Sequence, residues 1–195
     1  MASDIQEREQ NREGFLDLLL LADPSVELVQ RYLTEGYLFV LFEQGDAFGV
    51  VHLIPQTATV MEVKNIAVKE EAQGRGYGKR LLQYALDFCQ RQGYEKVLVG
   101  TGNSSMNNLA FYQKAGFRFL SIRRNFFTDH DAEPIFEHGI QCRDMILLEV
   151  VQRFTGVDKS DRSPSPLTIH SDTPSSKEAL PVSSFKRRGS FWPSM

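Results

Sequence analysis

The sequence predicts an α/β protein in which helices flank one mixed, mostly antiparallel central sheet. The first observation is a β-branched run at residues 60–68, followed by three glycines in five positions and then by an apolar helical stripe; this order indicates a strand, a tight turn and a helix. The second is a short apolar run at 97–101, which completes a β-α-β crossover and so a parallel strand pair. The third is a hairpin signal at Gln44-Gly45-Asp46 between two β-rich runs. A crossover and a hairpin in one chain predict a sheet with both strand directions.

The chain before the hairpin predicts two helices behind an irregular start. Residues 1–11 show no periodicity, and we expect them to be a mobile lead-in. The leucine-rich residues 14–22 predict a helix that ends at Asp23-Pro24, and Ser25 is expected to cap a second helix that Gly36 stops. The folded domain is therefore expected to begin at residue 12.

The later elements follow from the same signals. The strand at 59–68 is expected to pair antiparallel with the second hairpin strand, which Pro55 ends. Gly116 is expected to cap the last predicted helix, and a long loop separates the last two strands. The predicted strands are 37–42, 47–54, 59–68, 97–101, 117–123 and 145–151, and the predicted helices between them are 79–92 and 106–115.

Length and composition allow one folded domain with a tail. A chain of 195 residues with 42% hydrophobic content can bury one core. Residues 156–195 hold five of the eight prolines and ten serines, so we expect them to be disordered and the domain to cover 12–155. Residues 1–155 carry a net charge of −5, which argues against a nucleic-acid partner and favours a cationic small molecule.

Other sequence features narrow the location and the chemistry. No run of 18 apolar residues predicts a membrane span, and residues 1–11 do not resemble a signal peptide, so we expect a cytoplasmic protein without a membrane partner. Cys89 and Cys142 lie in apolar patterns and are expected to be buried thiols. No C-x-x-C or His/Cys cluster indicates a metal site, and a homodimer is compatible with the sequence.

The glycine turn predicts an anion site. Its backbone N–H groups converge at the positive end of the following helix, where a phosphate gains hydrogen bonds and a favourable field. The residues do not fit a Walker loop, because Arg80 follows Lys79 where a Ser or Thr is needed. They do not fit the dinucleotide fingerprint either, since the glycines run G-x-G-x-G. The pattern that remains is Q-x-x-G-x-G, with Gln73, Gly76 and Gly78.

At these residues the chain resembles the GNAT superfamily of N-acetyltransferases, whose pyrophosphate-binding turn has this form. The run from Ala110 to Phe117, A-F-Y-Q-K-A-G-F, is similar to the second signature of that family. The two signatures lie in the expected order, and the resemblance spans about residues 36–151. It implies a GNAT-like acyl-CoA N-acyltransferase fold, with acetyl-CoA as cosubstrate and an amine as acceptor.

The resemblance also implies where the coenzyme lies. The diphosphate would meet the turn, the pantetheine arm would bond the main chain of the preceding strand, and polar side chains after the 97–101 strand would contact the pantetheine amides. A backbone N–H of the strand before the turn, at residues 66–68, could also steady the oxyanion of the intermediate. The expected coenzyme-binding residues are Ile66, Ala67, Val68, Gln73, Gly74, Arg75, Gly76, Tyr77, Gly78, Lys79, Asn103 and Ser105.

The resemblance further implies two residues that handle protons. Glu62 stands eleven residues before Gln73, the spacing of the catalytic glutamate in the histone-acetylating branch, and an amine protonated at pH 7 needs such a base. Tyr112 stands where the family places the acid for the departing thiolate. The alternative for Glu62 is a surface ion pair with Lys64, because strand alternation would put Val60, Glu62, Lys64 and Ile66 on one face. The alternative for Tyr112 is a position in the apolar core. His52 could take or orient the proton instead, or it could be structural.

The loop at 125–138 is too long for an ordinary hairpin and is expected to be functional. We expect it to wall the acceptor site and to select a cationic amine through Asp129, Asp131 and Glu133. A solvated acidic loop is the alternative. The sequence as a whole predicts direct acetyl transfer to a primary amine, without a covalent enzyme intermediate. Two other functions stay open: an acyl-CoA-binding regulator, and an interaction module that acts through its tail.

Overall fold

The computed structural model describes residues 4–130 and 133–153. The strands in these ranges are β1 (Asp4–Glu7), β2 (Tyr37–Glu43), β3 (Asp46–Pro55), β4 (Val60–Val68), β5 (Lys96–Gly102), β6 (Arg118–Arg123), β7 (Phe136–Glu137), β8 (Ile140–Gln141) and β9 (Met145–Val151). The helices are α1 (Leu16–Leu19), α2 (Val26–Tyr32), α3 (Tyr77–Arg91), α4 (Met106–Lys114) and α5 (Phe126–His130), with 3-10 turns at Arg12–Phe15 and Glu70–Ala72. The tail expected to be disordered, 156–195, lies outside the described residues.

Among the described residues, seven strands form one sheet in the order β1-β2-β3-β4-β5-β9-β6. The β4–β5 pair is parallel and the other neighbours are antiparallel, which confirms the predicted mixed, mostly antiparallel sheet. The hairpin between β2 and β3 is also confirmed. Its two-residue turn places Gln44 at φ 55° and Gly45 at φ 91°, the conformation that matches the twist of a two-residue hairpin.

Helices cover both faces of the sheet, and each face has its own apolar core. On one face α3 packs through Leu81, Leu82 and Ala85, all at most 1% exposed, so the predicted helical stripe is confirmed. On the other face α1 and α2 contribute Leu19 and Val29, both fully buried. Cys89 and Cys142 are buried and form no disulfide, as the prediction of buried thiols requires. We refer below to the α3 face and the α1/α2 face of the sheet.

The start of the domain differs from the prediction. Residues 1–11 were expected to be a mobile lead-in, but Asp4–Glu7 forms the edge strand β1 and pairs with β2 from Phe42 to Phe39. The side chain of Arg12 holds the next segment in place, because its guanidinium donates to the carbonyls of Arg8, Leu33, Glu35 and Gly36 at 2.7–3.0 Å. One buried arginine thus joins the end of β1 to the end of α2.

The segment between β6 and β9 has secondary structure of its own rather than being a plain loop. It contains the short helix α5 and the β7–β8 hairpin. Phe126, Phe127, Cys142 and Met145 form a small separate core beneath it. We call residues 126–142 the insert. No helix among the described residues is long and apolar enough to cross a membrane.

Candidate functional site

The parallel strands β4 and β5 pair over only part of their length. Val60 to Val63 stand opposite Lys96 to Val99, and beyond this point no strand in the described chain pairs with β4 on its β5 side. The backbone of residues 64–68 therefore borders a gap in the sheet. Ile66, Ala67 and Val68, expected to bond a pantetheine arm through their main chain, lie along this gap. An extended ligand could add there as a strand would.

The glycine turn follows directly after the gap and leads into α3. Gly74 and Gly76 have φ of 75° and 81°, a left-handed conformation that favours glycine. The N–H of Arg80 donates to Gly76 O at 3.0 Å, and the N–H groups of the first helical turn before it have no intrahelical partner. Those groups, together with the helix dipole, can hold a diphosphate.

The side chains of the turn mostly hold it in place. Gln73 donates from Nε2 to the carbonyl of Val68 at 3.2 Å, which fixes the turn to the end of β4. Tyr77 is buried in the core of the α3 face, whereas Lys79 is exposed. Arg75 is exposed and forms a 3.3 Å ion pair with Glu43. A ligand at this turn would therefore meet main-chain donors of Gly76, Tyr77 and Gly78 and a rim of cations.

A one-residue bulge interrupts β4 beside the gap. His52 of β3 stands opposite Asn65, but the next residue, Leu53, stands opposite Val63, so that Lys64 has no counterpart. The alternation predicted for Val60, Glu62, Lys64 and Ile66 is therefore wrong at its last member. Ile66 packs against the core of the α3 face, whereas Lys64 and Asn65 contact Tyr32 on the α1/α2 face.

Glu62 lies on the α1/α2 face, at the last part of β4 that still pairs with β5. It stands opposite Ile54, which belongs to the core of that face, and opposed residues of an antiparallel pair share a face. Only 4% of Glu62 is exposed, and Nε2 of Gln56 donates to its Oε2 at 2.8 Å. Burial raises the pKa of Glu62, and the charges of Lys64 and Arg123 only oppose this rise. A carboxylate with a raised pKa is a better proton acceptor, as a general base requires.

The alternative of a surface ion pair between Glu62 and Lys64 does not describe the structure. Lys64 is 5% exposed, so neither residue lies at the surface. The Nζ of Lys64 has no hydrogen-bond partner in the described part of the chain. Glu62 therefore takes its hydrogen bond from an amide, and the charge of Lys64 acts on it at longer range.

Tyr112 lies on α4, in the core of the α3 face. It is 6% exposed, and its ring makes edge contacts with Phe111 at 5.2 Å and Phe117 at 5.8 Å between centroids. Burial raises the pKa of its hydroxyl, so the group stays protonated at neutral pH and can donate. The core position that was the alternative is therefore present. Tyr112 and Glu62 lie on opposite faces of the sheet, so a substrate would have to reach both of them through the gap between β4 and β5.

His52 is placed as a structural residue. It is fully buried, and its Nε2 lies 2.7 Å from the carbonyl of Glu35, which can only accept, so Nε2 carries the proton. Burial lowers the pKa of His52 to about 4. The ring is neutral at pH 7 and a weak base, which favours the structural interpretation over a catalytic one.

The polar residues after β5 anchor the insert. Asn103 accepts from the N–H groups of Arg143 and Asp144 at 2.8 and 2.9 Å and donates to the carbonyl of Gln141 at 3.1 Å. Ser105 donates to the buried carboxylate of Glu137. These hydrogen bonds already occupy the side chains of Asn103 and Ser105. A coenzyme contact at this place is therefore favoured through their backbone or through Asn108. The Nδ2 of Asn108 lies 3.5 Å from Thr101 Oγ1.

The carboxylates of the insert differ in their surroundings. Asp129 and Glu133 are exposed, Asp131 lies outside the described residues, and Glu137 points inward to Ser104 and Ser105. A cavity of about 220 Å³ under the insert is lined by residues that include Phe127, Glu133 and Cys142. Neither Glu62 nor Tyr112 lines it. Within the described residues no group of three or more His, Cys, Asp or Glu side chains could hold a metal ion.

Several residues of the α1/α2 face escaped the sequence analysis. Gln56, which donates to Glu62, carries no sequence signal, because a polar residue in a loop is ordinary. Asn65, Tyr32 and Asp23 form a chain of hydrogen bonds, from Asn65 Nδ2 to Tyr32 OH at 3.1 Å and from Tyr32 OH to Asp23 Oδ2 at 3.4 Å. An Asn in the middle of an apolar strand was the available signal for this network.

Comparisons with known proteins agree with this geometry. The model of the family described as "Acetyltransferase (GNAT) family" matches residues 7–117. An uncharacterized N-acetyltransferase of Bacillus subtilis strain 168, YvbK, is 43% identical over 140 residues, which cover 72% of this chain and 90% of that protein.

Two solved structures show the same fold at substantial identity. A GNAT family acetyltransferase from Elizabethkingia anophelis with acetyl-CoA bound has a TM-score of 0.74 and 43% identity, covering 77% of this chain and 98% of its own. A Bacillus subtilis acetyltransferase in complex with CoA has a TM-score of 0.75 and 40% identity, covering 78% of this chain and all of its own.

Proposed function

The chain belongs to the GNAT family of acetyltransferases, and on that premise we propose that it transfers the acetyl group of acetyl-CoA directly to a primary amine, with Glu62 as general base and Tyr112 as general acid. The observation that carries this proposal is the gap between β4 and β5. The gap runs from the glycine turn of α3 to Lys64, two residues from the buried Glu62. A long thioester held along it has its diphosphate at one end and its reactive carbonyl at the other.

Acetyl-CoA is the cosubstrate, as in the relative whose structure contains it. In our proposal the N–H groups of Gly76, Tyr77 and Gly78 bind the diphosphate, and the main chain of residues 66–68 pairs with the pantetheine arm. This use of the backbone leaves the side chains of Ile66 and Val68 free to pack against the core of the α3 face. The two roles are compatible because they use different atoms.

In this reaction Glu62 accepts a proton from the acceptor ammonium group. A primary amine has a pKa near 10 and is protonated at pH 7, so exposing its lone pair costs roughly 4 kcal/mol unless a base is present. Once deprotonated, the nitrogen attacks the thioester carbonyl, and a backbone N–H bordering the gap stabilises the oxyanion. Gln56 keeps the carboxylate oriented through its 2.8 Å hydrogen bond.

Tyr112 supplies the proton for the other half of the reaction. When the carbon–sulfur bond breaks, the sulfur leaves as a thiolate, and the Tyr112 hydroxyl donates to it. The attacking nitrogen still carries one proton more than the amide product, and it loses this second proton to solvent as the intermediate collapses. The proton held on Glu62 also returns to solvent, and Tyr112 recovers one from solvent, so that the products are the N-acetylated amine and free CoA. A tyrosine hydroxyl is protonated at neutral pH, so Tyr112 holds its proton before each turnover.

The acceptor is proposed to arrive as a cation. The net charge of −5 over residues 1–155 and the exposed carboxylates Asp129 and Glu133 of the insert would attract an ammonium group. Their exposure suits long-range attraction better than close recognition, because water and salt screen a surface charge.

The test is thiol release from acetyl-CoA across a panel of primary amines, together with calorimetric titration of CoA. We expect CoA to bind and at least one amine to be acetylated. CoA binding without turnover on any amine would favour an acyl-CoA-binding regulator. No CoA binding at all would remove the proposal and leave the interaction module, whose tail lies outside the described residues.

A further inference from the structure

A buried cation lies two residues beyond Glu62 on the α1/α2 face of β4. Lys64 is 5% exposed, and its Nζ has no hydrogen-bond partner among the residues described. The ammonium lies 5.3 Å from the centroid of the Tyr32 ring, a cation–π contact. Burial lowers the pKa of Lys64, and the carboxylates of Glu62, Asp23 and Glu35 only oppose this shift. A charge removed from water without a hydrogen-bond acceptor is costly, so the position favours an incoming oxygen anion.

Two hydrogen-bond acceptors without partners in the described chain belong to Asn65, which follows Lys64, and to His52, which pairs with Asn65. Both N–H groups of the Asn65 amide are used, on the Leu19 carbonyl at 2.9 Å and on Tyr32 OH at 3.1 Å, and its Oδ1 has no partner in the described chain. The carbonyl accepts only, which fixes the orientation of the amide. His52 stands opposite Asn65, and its Nδ1 is likewise without a partner there, while Nε2 is used on Glu35.

The three groups have a defined chemical complement. Lys64 offers donors and a positive charge, whereas Asn65 Oδ1 and His52 Nδ1 can only accept. A ligand that satisfies them carries an anionic oxygen and an N–H group in one molecule. The bulge at Lys64 produces this arrangement, because it leaves Lys64 and Asn65, consecutive in sequence, both in contact with Tyr32.

We propose that Lys64, Asn65 and His52 form an acceptor subsite for a carboxylate-bearing amine, such as a small amino acid. The inference rests on the proposed function, because Glu62 as the base places the reacting nitrogen beside this cluster. Lys64 holds the carboxylate, Asn65 Oδ1 accepts from the amine N–H, and Glu62 takes the proton before the nitrogen attacks. Such an acceptor is a zwitterion without net charge, so its carboxylate in the subsite, rather than the acidic surface of the protein, decides which amines are accepted.

Matched acceptors and matched variants test the subsite. The full chain is assayed with β-alanine and with its amide, 3-aminopropanamide, which keeps the amine and removes the acid. Lys64→Met removes the charge and keeps an apolar stem, and Lys64→Arg keeps the charge. The measured quantity is kcat/KM for β-alanine divided by kcat/KM for 3-aminopropanamide. We expect this ratio to fall about 10- to 100-fold in Lys64→Met, mainly because KM for β-alanine rises, and to be largely retained in Lys64→Arg.

Binding of a carboxylate without an amine gives a readout that does not depend on turnover. Propionate should bind the CoA-loaded protein and propionamide should not, and Lys64→Met should lose the propionate signal in calorimetry or NMR. Equal use of acid and amide by the unmodified protein, or equal losses for both in Lys64→Met, would overturn the subsite. If no amine of any kind is acetylated the proposed reaction fails, and propionate binding then decides the subsite by itself.

Discussion

The Nε2 of Gln56 donates a 2.8 Å hydrogen bond to Oε2 of Glu62, so an amide rather than the neighbouring ammonium of Lys64 is the hydrogen-bond partner of this carboxylate. A neutral partner orients the carboxylate and leaves its pKa raised by burial, whereas a close ammonium would lower that pKa. The arrangement suits a group that must gain a proton during the reaction.

Replacing Glu62 by Gln should lower kcat/KM by about 10²- to 10⁴-fold, because the base is lost while size and burial are kept. In the unmodified protein the rate should rise with pH through the titration of Glu62, at a pH above the ordinary range of a carboxyl group, since only the ionised form accepts a proton. Steady-state kinetics over a pH series measure both effects. Glu95→Gln, at an exposed position, is the control, and a loss below threefold in Glu62→Gln would remove the base role.

Tyr112→Phe should lower the rate by a similar factor of about 10²–10⁴ while leaving the melting temperature nearly unchanged. The phenyl ring keeps the edge contacts with Phe111 and Phe117, so that only the hydroxyl is lost. Thiol release and thermal unfolding of the same preparation separate the two effects. An active Tyr112→Phe enzyme would mean that the leaving thiolate takes its proton from another group.

Gly76→Asp should weaken CoA binding by at least tenfold, about 1.4 kcal/mol, because a carboxylate would stand where the diphosphate binds. Gly76 has φ 81° and open space where a Cβ would lie, so the fold loses only the backbone preference, about 1–2 kcal/mol. Gly45→Asp is the matched control, since Gly45 has φ 91°, equally open space and a place in the β2–β3 turn. Calorimetry should show equal CoA affinity in Gly45→Asp and in the unmodified protein; equal weakening in both variants would contradict the diphosphate site.

His52 should make the fold sensitive to acid. Burial lowers its pKa from 6.5 to about 4, so the unfolded chain binds this proton more readily than the folded one. Stability linked to His52 is therefore complete above pH 6.5 and is lost as the pH falls toward 4, with a total of about 3 kcal/mol. Urea unfolding between pH 7 and 4 should show a smaller loss in His52→Gln than in the unmodified protein. Parallel losses in the two proteins would show that other groups govern the acid transition.

Neutralising Asp129, Asp131 and Glu133 together to Asn, Asn and Gln should raise KM for a cationic acceptor, and more so at low salt, if these charges attract it. A matched variant that neutralises Asp46, Asp87 and Glu95, all exposed elsewhere, changes the net charge equally. Initial rates at several ionic strengths compare the two. An unchanged KM in the insert variant would mean that the carboxylates of the insert do not attract the acceptor and form only a solvated acidic surface.

The sequence predicted the elements that depend on strong local signals. Leu81, Leu82 and Ala85 define a helical stripe, Gln44-Gly45-Asp46 indicates a hairpin, and the glycines at 74, 76 and 78 indicate a tight turn; the structure has all three features. Each signal comes from residues close together in the chain. Such residues carry the same information whether or not the rest of the fold is known.

Features that depend on distant partners escaped prediction. β1 pairs with β2 through its backbone, and its exposed sequence D-I-Q-E has no apolar alternation to reveal it. The bulge at Lys64 arises from the pairing of β4 with β3. The sequence of β4 alone therefore could not predict on which face of the sheet the Ile66 side chain lies. The hydrogen bonds of Asn103 likewise reach about forty residues along the chain, and its residue type fitted a ligand contact equally well.

The extra residue at Lys64 shifts the side-chain alternation of β4 by one position. Before the bulge the even-numbered side chains lie on the α1/α2 face, and after it the even-numbered side chains lie on the α3 face. Glu62 and Ile66, four positions apart, therefore lie on opposite faces of the sheet. Removing a single residue here would restore regular alternation, and it would exchange the α3 face for the α1/α2 face along half of β4. The length of this short segment is therefore under tighter constraint than the identity of most side chains within it.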